Sequence, residues 1–208
     1  MNTLWASAIV ELGNQEAFIA ILIYMLGLMG GLSVFAITTV QSLRREEREH
    51  YAEMVLSRPV SRVKWMGSYL TVAFVGSVLI LFALGTATGL GWSMATGEFG
   101  HFPRVLAMSL SKIPSVWTII GIAALLYGWL PRIGSVLIWL LLGLWIFIEM
   151  LWEVGIAGWS AMQWTPFAYA HYIVPIHELS MGPLMVLTVI AAALTWLGVI
   201  GFRHRSID

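Results

Sequence analysis

The sequence predicts an all-α integral membrane protein whose chain crosses the bilayer five times, and three observations carry that expectation. Of its 208 residues, 59% are hydrophobic and 11% are charged, with a mean hydropathy of +0.85, a composition that suits lipid rather than water. Five apolar runs match the length, roughly 20 residues, that an α-helix needs to cross hydrocarbon: residues 17–43, 66–94, 113–130, 133–152 and 183–202. The basic residues are divided unevenly among the segments between those runs, which sets an orientation.

Residues 1–16 precede the first run. Leu4, Trp5, Ala8, Ile9 and Leu12 recur at helical spacing, which fits a short amphipathic helix in the outer interface and fits a frayed terminus equally. The segment lacks the basic start and long apolar core of a secretory leader, so cleavage is not expected. The runs at 17–43 and 66–94 carry Gly27 with Gly31 and Gly85 with Gly89, spacings that let helix backbones approach closely in lipid. For the pair Gly30 and Gly31, close packing is the first reading and a hinge the second. Glu149 is the one ionisable residue inside the five runs, and structural hydrogen bonding and a substrate or proton role are both open for it. Residues 153–181 are broken by Gly155, Gly158, Pro166 and Pro175 yet rich in Trp159, Trp164, Phe167, Tyr169 and Tyr172. Aromatics of this kind favour the membrane interface, so two short outer interfacial helices are expected there.

Positive residues in short loops stay on the cytoplasmic side. Arg44, Arg45, Arg48, Arg58, Arg62, Lys64, Arg132, Arg203 and Arg205 fall on one face, against Arg104 and Lys112 on the other. The orientation is therefore N-terminus outside and C-terminus inside, with residues 203–208 as a cytoplasmic tail. An odd number of spans with an outer N-terminus leads to the expectation of further membrane helices, on a partner polypeptide or in a longer chain.

The segment 44–65 mixes both charge signs where retention alone would need only positive ones. Glu46, Glu47, Glu49 and Glu53 alternate with Arg44, Arg45 and Arg48, the pattern of a charged surface helix. Tyr51, Met54 and Val55 give it a narrow apolar stripe that could dock on membrane or protein. Pro59 limits its continuation and biases Arg58 towards extended geometry. A solvated anchor loop meeting lipid phosphate and a docking helix for a cytosolic partner both fit these residues.

Several chemistries are excluded. The chain has no cysteine, hence no disulfide, thiolate catalysis or zinc-thiolate site. Eleven basic residues balance eleven acidic ones, leaving no global field to attract nucleic acid. His171, His177 and Glu178 do not follow metal-ligand spacing, and Asp208 is the single Asp, so no metal site and no catalytic constellation are expected. No phosphate-binding G-x-x-x-x-G-K-[ST] loop is present, so the chain is not itself an ATPase.

The run from Leu43 to Trp65, containing REE and then AEMVLSRPVSR with a Trp three residues on, resembles the first cytoplasmic loop of ABC-2-type exporter permeases, in particular the polyketide-antibiotic exporter branch. WTPFAYAHYIVP, residues 164–175, is similar to that branch's outer segment, with Thr165 where Ser is usual. GFRHRSID, residues 201–208, is similar to its closing Gly-Phe-Arg-Arg-Arg motif, with His204 in place of the middle Arg. The family's half-permease has six spans, so the resemblance implies an ABC-2-type exporter fold lacking its first span. It implies a coupling helix over Glu46 to Leu56, with Arg45, Glu46, Glu47, Arg48, Glu53, Met54, Arg58, Pro59 and Arg62 meeting an ATP-binding subunit. The partners implied are that ATPase subunit, a second permease subunit or missing membrane half, lipid and a small hydrophobic substrate. No cofactor is implied on this chain, with ATP and Mg on the partner. The function implied is efflux of hydrophobic or amphiphilic, drug-like or antibiotic-like compounds across the plasma membrane by alternating access. A non-transporting scaffold recruiting a cytosolic partner through residues 44–65 is the other reading.

Overall fold

The computed structural model describes residues 31–48, 61–97, 99–153, 155–169 and 181–204, and they are helical with short turns. Helix α1, Ser33–Arg48, buries Ser33, Ala36, Ile37, Val40 and Leu43, steps of three and four that form one stripe. It runs unbroken into the charged segment, because no proline interrupts it. The Thr38 and Thr39 hydroxyls are absorbed by the Val34 and Phe35 carbonyls, each at 2.8 Å.

Helix α2, Arg62–Thr96, has 35 residues. The Ser61 hydroxyl caps its start by accepting from the Lys64 amide, and Gly97 ends it at φ 77°, a left-handed conformation that glycine adopts without strain. Trp65, Met66, Leu70, Ala73, Ser77 and Leu81 form its inward stripe, whereas Val72, Val75, Leu79 and Phe82 remain exposed. A helix apolar on every side is built for hydrocarbon rather than for water.

A 3-10 turn, Phe99–His101, leads to α3, Phe102–Leu110, which folds back along α2. The close approach uses Gly85 and Gly89: a Cβ on Gly85 would lie 2.7 Å from the Ser109 Cβ, and one on Gly89 would lie 3.0 Å from the Phe102 ring. The Ser109 hydroxyl donates to the Leu81 carbonyl at 2.7 Å across this contact. Gly31, by contrast, is exposed, and Gly27 lies outside the described residues.

Helix α4, Ile113–Trp129, is central, touching α1, α2, α5 and α7. Helix α5 is Gly134–Glu153, α6 is the four-residue Trp159–Met162, and α7 is Met181–His204. The contact of α4 with α7 is backbone to backbone. A Cβ on Gly128 would sit 2.2 Å from the Gly198 carbonyl oxygen, and one on Gly121 would sit 2.8 Å from that of Ala191. Van der Waals packing drives helices together in lipid, so small residues concentrate where backbones meet. Tyr127 stacks on Phe202 at 5.5 Å near one end of this pair.

Among the described residues, four helical segments are long and apolar enough to cross a membrane: Val63–Ala95, Phe102–Trp129, Gly134–Trp152 and Met181–His204. Of the expected first span, only residues 31–43 are described, of which 33–43 lie in α1. The third differs most from expectation. Its helix, α4, keeps the expected start at Ile113, but the apolar stretch long enough to cross a membrane reaches back through α3 to Phe102, past the polar stretch Ser109, Ser111 and Lys112. Those three residues are buried in the bundle, with Ser109 and Ser111 hydrogen-bonded to carbonyls. Of two expected interfacial helices in 153–181, the described part contains α6 followed by turns, and residues 170–180 lie outside it.

Candidate functional site

Three polar or open features stand out in this apolar bundle. The first is a knot of hydrogen bonds at the end where α1 finishes. The Arg44 guanidinium donates to the Ser135 hydroxyl at 2.8 Å and to the Arg132 carbonyl at 2.9 Å. One turn back, the Gln41 amide donates to the Ser135 carbonyl at 3.2 Å and accepts from the Trp139 indole at 3.2 Å. Helix α1 is thereby fastened to the turn joining α4 and α5. Beside it, Glu46 accepts a hydrogen bond from the Tyr69 hydroxyl of α2. Arg45 is exposed and Glu47 half-buried, Arg48 closes α1 and Arg62 opens α2. Glu53, Met54, Arg58 and Pro59 lie outside the described residues, as does most of the expected coupling helix.

The second feature is a pair of buried charges. Lys112, at the break between α3 and α4, is 1% exposed, and Glu149 of α5 is fully buried. The two act on each other electrostatically. A buried charge is tolerable when an opposite charge offsets its lost hydration, and Glu149 supplies that charge to Lys112. This corrects two expectations. Lys112 is an interior residue rather than an outer loop cation, and Glu149 is not a solitary ionisable group. The physical reason is the fold of α3 back into the bundle, which carries the break inside with it.

The third feature is a cleft of about 520 Å³ between α4, α5, α7 and the turn after α6. Thr118 and Ile122 of α4, Trp145 of α5, and Leu187 and Ile190 of α7 form its walls. Gln163, Trp164 and Tyr169 form its lip. Trp145 is one helical turn from Glu149 on α5. The lip is anchored by Thr165 and Phe167, both buried, and by the edge-on contact of Tyr169 with Trp159 at 6.1 Å.

Among the described residues, no group of three or more His, Asp or Glu side chains could hold a metal. The sequence patterns singled out Glu149, Gly85 and Gly89, and passed over Lys112, Arg44 with Ser135, and the Gly121, Gly128 and Gly198 contact. Two signals bear on these. Lys112 directly adjoins the run 113–130 on the same expected side as Glu149, and Gln41 is a strongly polar side chain inside residues 17–43.

The sequence profile of the family described as "Multidrug efflux system permease Rv1217c, C-terminal domain" matches residues 2–203. The chain belongs to this family. It is also 30% identical, over 212 residues, to the multidrug efflux system permease protein Rv1217c of Mycobacterium tuberculosis (strain ATCC 25618 / H37Rv). That alignment covers 99% of this chain and 38% of the relative's length. Membership in the Rv1217c C-terminal family and the four apolar helices make this a multi-pass protein of the plasma membrane.

Proposed function

We propose that the chain is the permease portion of an ABC-type efflux transporter, coupling ATP hydrolysis on a separate nucleotide-binding subunit to the export of hydrophobic or amphiphilic compounds. The observation that carries this reading is mechanical. Helix α1 leaves the bundle without a break and extends into the charged segment, and Arg44 and Gln41 tie its end to the α4–α5 turn. Force applied at residues 44–65 would then reach α1, α2 and the central α4 together. Kinship with a protein named as a multidrug efflux permease supports the direction and the class of cargo.

In this reading the Arg44 end faces the cytoplasm, supported by Arg44, Arg45, Lys64, Arg132 and Arg203 gathered there. ATP and Mg bind the partner ATPase, whose groove receives the segment from Arg45 to Arg62. A second membrane half completes the pathway, and alternating access follows from rocking one half against the other.

Replacing Arg45, Glu53 and Arg58 together with Ala in the intact permease tests this. Copurification of the ATPase subunit and efflux are both expected to disappear while membrane insertion persists. Unchanged copurification would refute the docking role.

A further inference from the structure

The cleft beside Trp145 has the size, lining and charge of a ligand site. Its volume of about 520 Å³ falls within the range typical of pockets for drug-sized molecules. Its aromatic surfaces are unequal in exposure. Trp145 is 8% exposed and forms a wall, whereas Trp164, 79% exposed, and Tyr169 stand at the lip with ring surface still uncovered.

The polar groups narrow the ligand further. The Thr118 hydroxyl is committed to the Pro114 and Leu187 carbonyls, at 2.8 and 3.3 Å. The Thr165 hydroxyl is engaged by the Met162 sulfur and the Ala168 amide. Pro166 and Pro183, also in the lining, have no backbone N–H to offer. Gln163 donates its amide nitrogen to the Ser160 carbonyl at 3.1 Å, and its carboxamide oxygen can accept from a ligand, beside the Tyr169 hydroxyl and the indole N–H groups of Trp145 and Trp164. No charged residue is among the described lining residues. From these described residues a cation would gain no carboxylate in exchange for its hydration, and a phospholipid headgroup no basic partner.

We propose that this cleft binds a neutral aromatic small molecule, held by stacking on Trp145, Trp164 and Tyr169 and by one hydrogen bond to Gln163. The assignment of that molecule as cargo rests on the efflux reading; the site itself does not.

The test uses the permease with its ATPase partner in lipid nanodiscs, without nucleotide, irradiated with 4-(hydroxymethyl)benzophenone, a neutral diaryl ketone with one hydroxyl donor. Saturable labelling of the lip and of residues 186–190 is expected, displaced by excess diphenylmethanol. Trp164→Ala, at an exposed position, is expected to weaken saturable labelling about fivefold with unchanged thermal unfolding. Ile122→Trp, which fills the cleft, is expected to abolish it. Labelling that never saturates and falls equally on Val72 and Leu79 of α2 would overturn the proposal. Displacement by hexadecanol but not by diphenylmethanol would assign the cleft to an acyl chain and overturn it as well. Since no ATP is present, loss of labelling counts against the site alone. Saturable labelling in a protein whose efflux ignores ATP counts against the transport reading alone.

Discussion

The Arg44 guanidinium reaches Ser135 and the carbonyl of Arg132 at once, so one side chain at the end of α1 grips the α4–α5 turn from two directions. A guanidinium can do this because its donors are fixed in a planar fork, which a lysine ammonium does not reproduce.

Arg44→Lys is therefore expected to behave more like Arg44→Ala than like the parent. A double-mutant cycle with Ser135→Ala, read by thermal unfolding in detergent, should return a coupling of about 0.5–1.5 kcal/mol, below the range for a buried charged donor because the group is partly exposed. In vesicles, ATPase activity should outlast efflux, since the subunit still docks while the turn is released. Parallel loss of both activities would contradict transmission through Arg44.

For Lys112 and Glu149 the signature is asymmetric. Lys112→Met or Glu149→Leu alone leaves the opposite buried charge without its partner and should destabilise the fold by about 3–5 kcal/mol. The double substitution Lys112→Met with Glu149→Leu should recover much of that loss, because two apolar groups need no compensation. Thermal unfolding of the three variants decides it: a double variant as unstable as the sum of the singles would mean that the charges act independently.

The glycine contact between α4 and α7 predicts a contrast within one chemical change. Gly128→Ala drives a methyl against the Gly198 carbonyl and should cost about 1–3 kcal/mol as the helices separate. Gly91→Ala, at a position where an added Cβ meets nothing within 4 Å, should be neutral or stabilising by about 0.5–1 kcal/mol through helix propensity. Crosslinking between cysteines introduced at Leu125 and Val199 would report the separation in the first variant and none in the second.

Gly97 supplies a local test. Its φ of 77° lets the α2 C-terminus close with an amide donated to the Ser93 carbonyl at 2.9 Å. Gly97→Ala should lower stability by about 1 kcal/mol, and Gly97→Asn by less, since Asn tolerates the left-handed region. Equal effects of the two would argue against the cap as the cause.

Composition and run length made the membrane class and most helix ends legible, since residues 133–152 and 183–202 lie within two residues of α5 and α7. Hydropathy could not show that Lys112 belongs to the interior. A window average penalises any charge, whereas the bundle accepts this one because the charge of Glu149, 37 positions later in sequence, acts on it across the fold. The Arg44 knot was illegible for a related reason: its partners are a serine and a main-chain carbonyl, and neither carries a sequence signature. Glycines showed the converse difficulty. With 20 in the chain, spacing alone could not rank Gly85 and Gly89 against Gly128 and Gly198, and only backbone proximity does.

Helix α2, with its 35 residues, is about 52 Å long, against roughly 30 Å of hydrocarbon. Such a rod must incline or stand clear of the bilayer, so it is long enough to reach both water phases. Pivoting about its midpoint by about 10° swings each tip by about 4–5 Å in opposite senses. Under the proposed transport function, a rigid tilt of this kind would carry displacement from one water phase to the other with no link to slacken between them, one tip advancing as the other retreats.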